Sequence, residues 1–342
     1  MVRLRAMLSG NSITILLGAI FLFTLPTSGN AQTAVSLGTS SVGARFHVLA
    51  VGMGDVISRN SKLNVTVEPI GGSDANVRAM KAKRLDFALI NSLAGTHGYR
   101  GTGPFGKEGK APVRLIFQGG LAARALVARV DRGIRTPADL RGKKVQGRRR
   151  ALADLEIVLK QLMKVYGVPE GEVTIYSHSN TDEQVEALKL GTADAILMPF
   201  GSPKTSSPPI RRVAETVPLV VVGIDKDKIP AILENPELAG YAPATIFKGA
   251  IKGMEKDVTS LALGEYVAGR ADLSDDVVYQ WTKSFFSHLK DFHAIHASAK
   301  EYTIESSLEA PTIPFHPGAV RYYKEIGRWT PEMESLQSKL MK

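Results

Sequence analysis

The chain has 342 residues, with 43 lysines and arginines against 33 aspartates and glutamates, and it contains no cysteine. That length exceeds one small domain and suits two lobes of ordinary size. The missing cysteines exclude a disulfide framework, a thiol nucleophile, an Fe–S cluster, Cys-ligated zinc and a lipid anchor on an N-terminal Cys. The balance of +10 raises nucleic-acid binding as a reading to be tested.

Arg3 and Arg5 precede an apolar run from Ile13 to Leu25, which Pro26 ends, and Gly29 and Ala31 then supply the small residues of a cleavage site. Residues 1–31 therefore read as a secretory signal peptide. The run is shorter than the roughly 20 apolar residues of a membrane span. Leu4 separates the two arginines, so the general secretory route fits better than a twin-arginine one. Cleavage removes two arginines and leaves a mature charge of +8. The expectation is a periplasmic monomer that is not lipid-anchored.

The mature chain opens with a short strand, Val35–Leu37, running into the Gly38–Gly43 loop. Phe46, Leu49, Ala50, Met53 and Ile57 follow at helical spacing. A strand at 64–70 ends in Gly71-Gly72-Ser73, where Ser73 or Asp74 can cap the next helix, and a further strand covers 86–90. This β-α-β-α-β order predicts a largely parallel sheet covered by helices.

A second round runs through an extended stretch at 124–130, a one-turn helix at 136–140 and a strand at 144–146. A helix with Leu152, Leu155, Leu159, Leu162, Met163 and Tyr166 on one stripe follows. Thr181 and Gln184 fit a capping box for a helix ending at Gly191. Strands are expected at 193–198 and 218–222. From Asp272 the pattern is helical, with Val278, Trp281, Thr282 and Phe285 on one face.

Residues 77–90 align without gaps on 185–198, each a helix, a turn and an Asp (Asp86, Asp194) that introduces an apolar strand. The alignment suggests two α/β lobes of similar plan. Ligands in open α/β sheets sit beyond the carboxyl ends of strands, at helix N-termini that favour anions. Here those places are the loops 38–43, 71–73, 91–92, 147–150 and 199–203.

With these loops in place, the sequence resembles the TAXI family of TRAP transporter solute-binding subunits, from about Val35 to Gly327. The segments that carry the resemblance are Leu37–Gly43, Gly71-Gly72-Ser73, Leu85–Ser92, Tyr99–Phe105, Asp139–Val145, Arg270–Tyr279 and Ile313–Ala319. Their order and spacing make it specific. The resemblance implies a two-lobed type II periplasmic binding fold with a ligand cleft between the lobes. Lobe I would take 33–122 plus 256–342, and lobe II would take 123–255. It further implies an extracytoplasmic receptor that captures a small organic anion or amino acid, glutamate-like or a dicarboxylate. The receptor would hand it to the membrane subunits of a TRAP transporter. The alternative is a periplasmic sensor module presenting the same ligand to a membrane signalling protein.

Two departures from the family pattern stand out. An aromatic pair after the first glycine loop is here Phe46 and His47. A small-residue loop is replaced by Gly147-Arg148-Arg149-Arg150, whose guanidinium forks suit carboxylates. Hydroxyls, amides and backbone N–H groups at Thr39, Ser40, Gly43, Ser73, Asn91, Ser92 and Thr245 suit the same chemistry. Phe46, Arg148, Arg149 and the Gly201 turn complete the candidate ligand-binding set.

No catalytic residue, metal ligand or cofactor is assigned. Gly101–Gly106 matches G-x-G-x-x-G by letter only, with Pro104 inside and no strand before it. The pair His293-Ala294-Ile295-His296 reads as a surface helix end and not as a metal site, and no G-x-S-x-G occurs. Basic residues are scattered without an aromatic-interleaved stripe, so the charge reads as steering for an anionic solute and not as nucleic-acid binding.

Overall fold

The computed structural model describes residues 32–309 and 311–342; the signal-peptide reading lies outside the described residues. Among the described residues no helix is long and apolar enough to cross a membrane.

The chain begins as read, with β1 (Thr33–Ser40), α1 (Arg45–Arg59), β2 (Leu63–Gly71), α2 (Ser73–Lys81) and β3 (Phe87–Asn91). Strand β1 lies between β2 and β3, parallel to both. Helix α1 buries Leu49, Ala50, Met53, Val56 and Ile57 because three- and four-residue steps put them on one face. After α3 (Ser92–Arg100) comes β4 (Val113–Arg129), a strand of 17 residues. The second round then runs β5 (Lys144–Arg148), α4 (Asp154–Val165), β6 (Thr174–Ser177), α5 (Thr181–Leu190) and β7 (Ala195–Gly201). It is followed by α6 (Pro208–Ala214), β8 (Leu219–Val222) and β9 (Ala242–Ile246). The long strand β10 (Val258–Arg270) turns back antiparallel to β4, a strand that the residue pattern did not announce.

Strands β4 and β10 form a ribbon shared by two lobes. One end of β10 pairs with β3 and the other with β9, while the far end of β4 pairs with β7 and β8. One hydrophobic core draws on 35–117 and 266–323, with Trp281 stacked on Phe87 at 4.0 Å. Two others lie mainly within 122–263 on opposite faces of the second part of the sheet. The two-lobed α/β architecture expected from the sequence is thus present, with the ribbon running through both lobes.

The internal echo has a structural cause. Asp86 accepts the Ser36 N–H at 2.9 Å, and Asp194 accepts the Lys144 N–H at 2.9 Å; each pair is 50 residues apart. The Asn76 amide donates to the Leu89 carbonyl at 3.2 Å, and the Gln184 amide to Leu197 at 2.7 Å, 13 residues on in both. Each lobe therefore ties the strand of this unit to the neighbouring parallel strand through the Asp, and to its own preceding helix through the amide. The capping-box reading of Thr181 and Gln184 is corrected here. The cap of α5 is Asn180, which accepts from the Glu183 N–H, because the Gln184 amide is committed to carbonyls in the sheet.

Candidate functional site

A cavity of about 50 Å³ lies between the lobes, far below the ~300–1,000 Å³ of drug-sized sites. Helices α1, α2 and α5 begin at it, presenting Arg45, Ser73 and Thr181. Their first-turn N–H groups, which have no partner within the helix, bias the space toward negative charge. Ser73 and Thr181 hold corresponding first-turn positions in the two lobes. Phe46, Leu89, Ala122, Leu152 and Pro199 supply an apolar wall.

Gly72 lets the walls approach closely, and Gly201 closes a tight turn within its own lobe. A Cβ on Gly72 would lie 2.2 Å from the Ala151 carbonyl oxygen of the opposite lobe. Gly201, at φ +136°, has the Thr205 carbonyl oxygen at the same 2.2 Å from any Cβ.

Three buried arginines line the cavity. Arg45 pairs with Glu265, a fully buried carboxylate on β10 that also accepts from the Tyr302 hydroxyl at 2.9 Å. Burial pulls the Arg45 guanidinium down to about 10. Arg124 on β4 donates to Asp154 at 2.6 Å, and Tyr241 donates to the same oxygen. Burial works against the charge on Arg124, yet Asp154 and Tyr241 outweigh it and hold the group above its ordinary value.

Arg149 differs from both. Its Nη2 reaches across the interface to Ser41 Oγ at 2.8 Å and to the Gly71 carbonyl, and Nη1 reaches Thr181 Oγ1 at 3.3 Å. Every one of these partners is neutral. Burial lowers Arg149 to about 10, so it still carries its charge at neutral pH. Its Nε and Arg45 Nη1 are buried donors with no hydrogen-bond partner among the described residues. Two of the three guanidiniums thus pair directly with a carboxylate, and Arg149 has no carboxylate in contact.

Of the residues expected from sequence, Ser40, Phe46, Ser73, Arg149 and Gly201 come together at this cavity. Thr39 is buried on β1, its hydroxyl without a partner among the described residues. The others stand elsewhere. Gly43 turns the loop with φ +77°. Asn91 caps α3 by accepting the Ala94 N–H at 2.7 Å, and the Ser92 carbonyl accepts from Thr96. Arg148 points out to Glu156 at 2.9 Å, since successive side chains at a strand end face opposite ways. Thr245 is exposed on β9.

Arg45, Arg124, Asp154 and Glu265 were not anticipated. A charged residue inside an apolar strand, as in Ala122-Ala123-Arg124-Ala125-Leu126, was the available signal for the strand pair. Among the described residues no cluster of three or more His, Cys, Asp or Glu is placed to hold a metal ion.

The fold and the interlobe cavity define a two-lobed α/β protein. Residues 37–327 match the NMT1-like family, and the chain belongs to it. Solved structures with a similar chain path include the aliphatic sulphonate-binding protein SsuA of Escherichia coli. That pair shares 13% identity at a TM-score of 0.43 over 90% of this chain and 85% of that one. The ArgBP protein of T. maritima is similar at 15% identity and TM-score 0.46 over 80% and 95%. GshT of Streptococcus mutans, described in glutathione import, is similar at 10% identity and TM-score 0.48 over 79% and 95%.

Proposed function

We propose that the protein is an extracytoplasmic solute receptor. It binds a small organic anion or amino acid between lobe I (33–122 plus 256–342) and lobe II (123–255), and delivers it to a TRAP-type secondary transporter. The observation that carries the reading is Arg149: a buried guanidinium with only neutral partners, reaching from one lobe to the other at the wall of a small cavity. Burying an unpaired charge is costly unless something compensates it. An anionic ligand does so and ties the lobes together in the same act. A guanidinium without a carboxylate in contact suits an anionic ligand, glutamate-like or a dicarboxylate. The TRAP partner rests on the resemblance of the sequence segments.

Isothermal titration with L-glutamate, succinate and citrate tests this. Saturable binding of glutamate is expected, weakened about 10- to 100-fold in Arg149→Ala, as hydrogen bonds to a charged group contribute about 1.5–3 kcal/mol. Equal affinity in the variant, or no anion bound by the wild type, overturns the reading. Uptake in vesicles driven by an ion gradient, without ATP, tests the transporter class.

A further inference from the structure

Beyond the Arg149 side of the cavity the surface opens into a groove of about 680 Å³ whose walls come from both lobes. Arg78 and Arg84 stand on the first lobe, and Arg148, Arg149 and Arg150 on the second. Two carboxylates share the lining. Glu156 is taken by Arg148, and Glu183 accepts from the Ser179 N–H at 2.7 Å. Arg78 is held by Glu108 outside the groove. Arg84, Arg149 and Arg150 form no ion pair among the described residues.

His178 lines the same groove. It is 5% exposed, and neither ring nitrogen has a hydrogen-bond partner among the described residues. Burial and the nearby Arg149 push it down to about 4, so at neutral pH it offers one N–H donor and one acceptor. The groove therefore combines unpaired guanidinium forks with a buried, unpartnered donor. Bringing the lobes together also brings like charges together, which opposes closure unless an anion lies between them.

We propose that this groove is a second anion site that takes a polyvalent oxyanion of the phosphate type and, drawing donors from both lobes, favours their closed arrangement. Several guanidinium forks around one opening suit an ion with three or more acceptor oxygens. The site shares Arg149 with the cavity wall, while Arg84, Arg150 and His178 lie outside the cavity.

The test is isothermal titration of the whole protein with inorganic pyrophosphate at constant ionic strength, beside the double variant Arg84→Ala/Arg150→Ala. Both arginines are exposed and neither lines the cavity, so the variant is expected to melt at or above the wild-type temperature. One saturable site is expected in the wild type, weakened at least tenfold in the variant. No saturable binding overturns the proposal. Equal affinity in the variant also overturns it and places the anion elsewhere. A protein that takes pyrophosphate in this way but binds no carboxylate refutes the receptor reading and leaves the groove standing.

Discussion

At the scale of single residues, Gly72 decides how close the lobes come. Its φ of 176° is extended backbone open to any residue, so alanine carries no conformational strain there. What alanine meets is the Ala151 carbonyl of the other lobe, which as backbone cannot swing aside. Gly72→Ala should therefore weaken L-glutamate at least tenfold, about 1.4 kcal/mol, and lower the melting temperature without ligand, since the contact is already made there. Titration and a thermal melt check both. Unchanged affinity would mean that the bound lobes are further apart at this contact. Gly72 was legible from sequence as part of a turn, but its partner was not, because Ala151 lies in the other lobe and no local pattern reports such a contact. The arginine run shows the same limit. Composition marked 148–150 as unusual, yet only the folded strand end separates Arg149, facing in, from Arg148, held outward by Glu156.

At the scale of elements, strand β10 is the clearest gap between sequence and structure. Its apolar residues do not alternate cleanly, since Ala262, Leu263, Tyr266, Val267 and Ala268 are all buried between neighbours on both faces. A continuous apolar run of this kind does not reveal its period. By contrast, α1, α4 and the Asp275–Ser287 helix each carry a one-sided stripe and were legible. Within β10, Glu265 holds the Arg45 charge in place. Removing one partner of a buried pair leaves the other uncompensated. Glu265→Gln should lower stability by about 3 kcal/mol, read by urea unfolding. The same change adds one positive charge to the cavity, so titrations should move in preference from glutamate toward succinate. A destabilised variant with unaltered preference would separate Glu265 from ligand selection.

At the scale of the whole molecule, the interface between lobes carries two buried titratable groups with opposite tendencies. Asp74 of the first lobe accepts the Ala153 N–H of the second at 2.7 Å. Burial pushes its carboxyl from the ordinary 3.8 up to about 7; the Ala153 N–H works the other way, and nearby Asp154 adds to the rise against Arg78 and Arg124. Between those values the folded chain holds a proton that the unfolded chain releases. Asp74's contribution is thus fully present below pH 3.8 and lost as pH rises through about 7. His178 is pushed down from 6.5 to about 4, so its contribution is present above pH 6.5 and lost as pH falls through about 4. The two slopes oppose one another and flatten the wild-type profile, which only variants can separate. Asp74→Asn keeps an oxygen for the Ala153 N–H but cannot ionise. The stability of wild type relative to this variant should be greatest near pH 4 and fall by roughly a few kcal/mol toward pH 8. His178→Phe should gain on wild type as pH drops from 6.5 to 4. Melting curves taken at half-unit steps give both differences. Parallel curves for wild type and Asp74→Asn would show that this carboxyl does not hold its proton in the folded chain. A falling difference would make the contact between lobes the place where the molecule senses neutral pH.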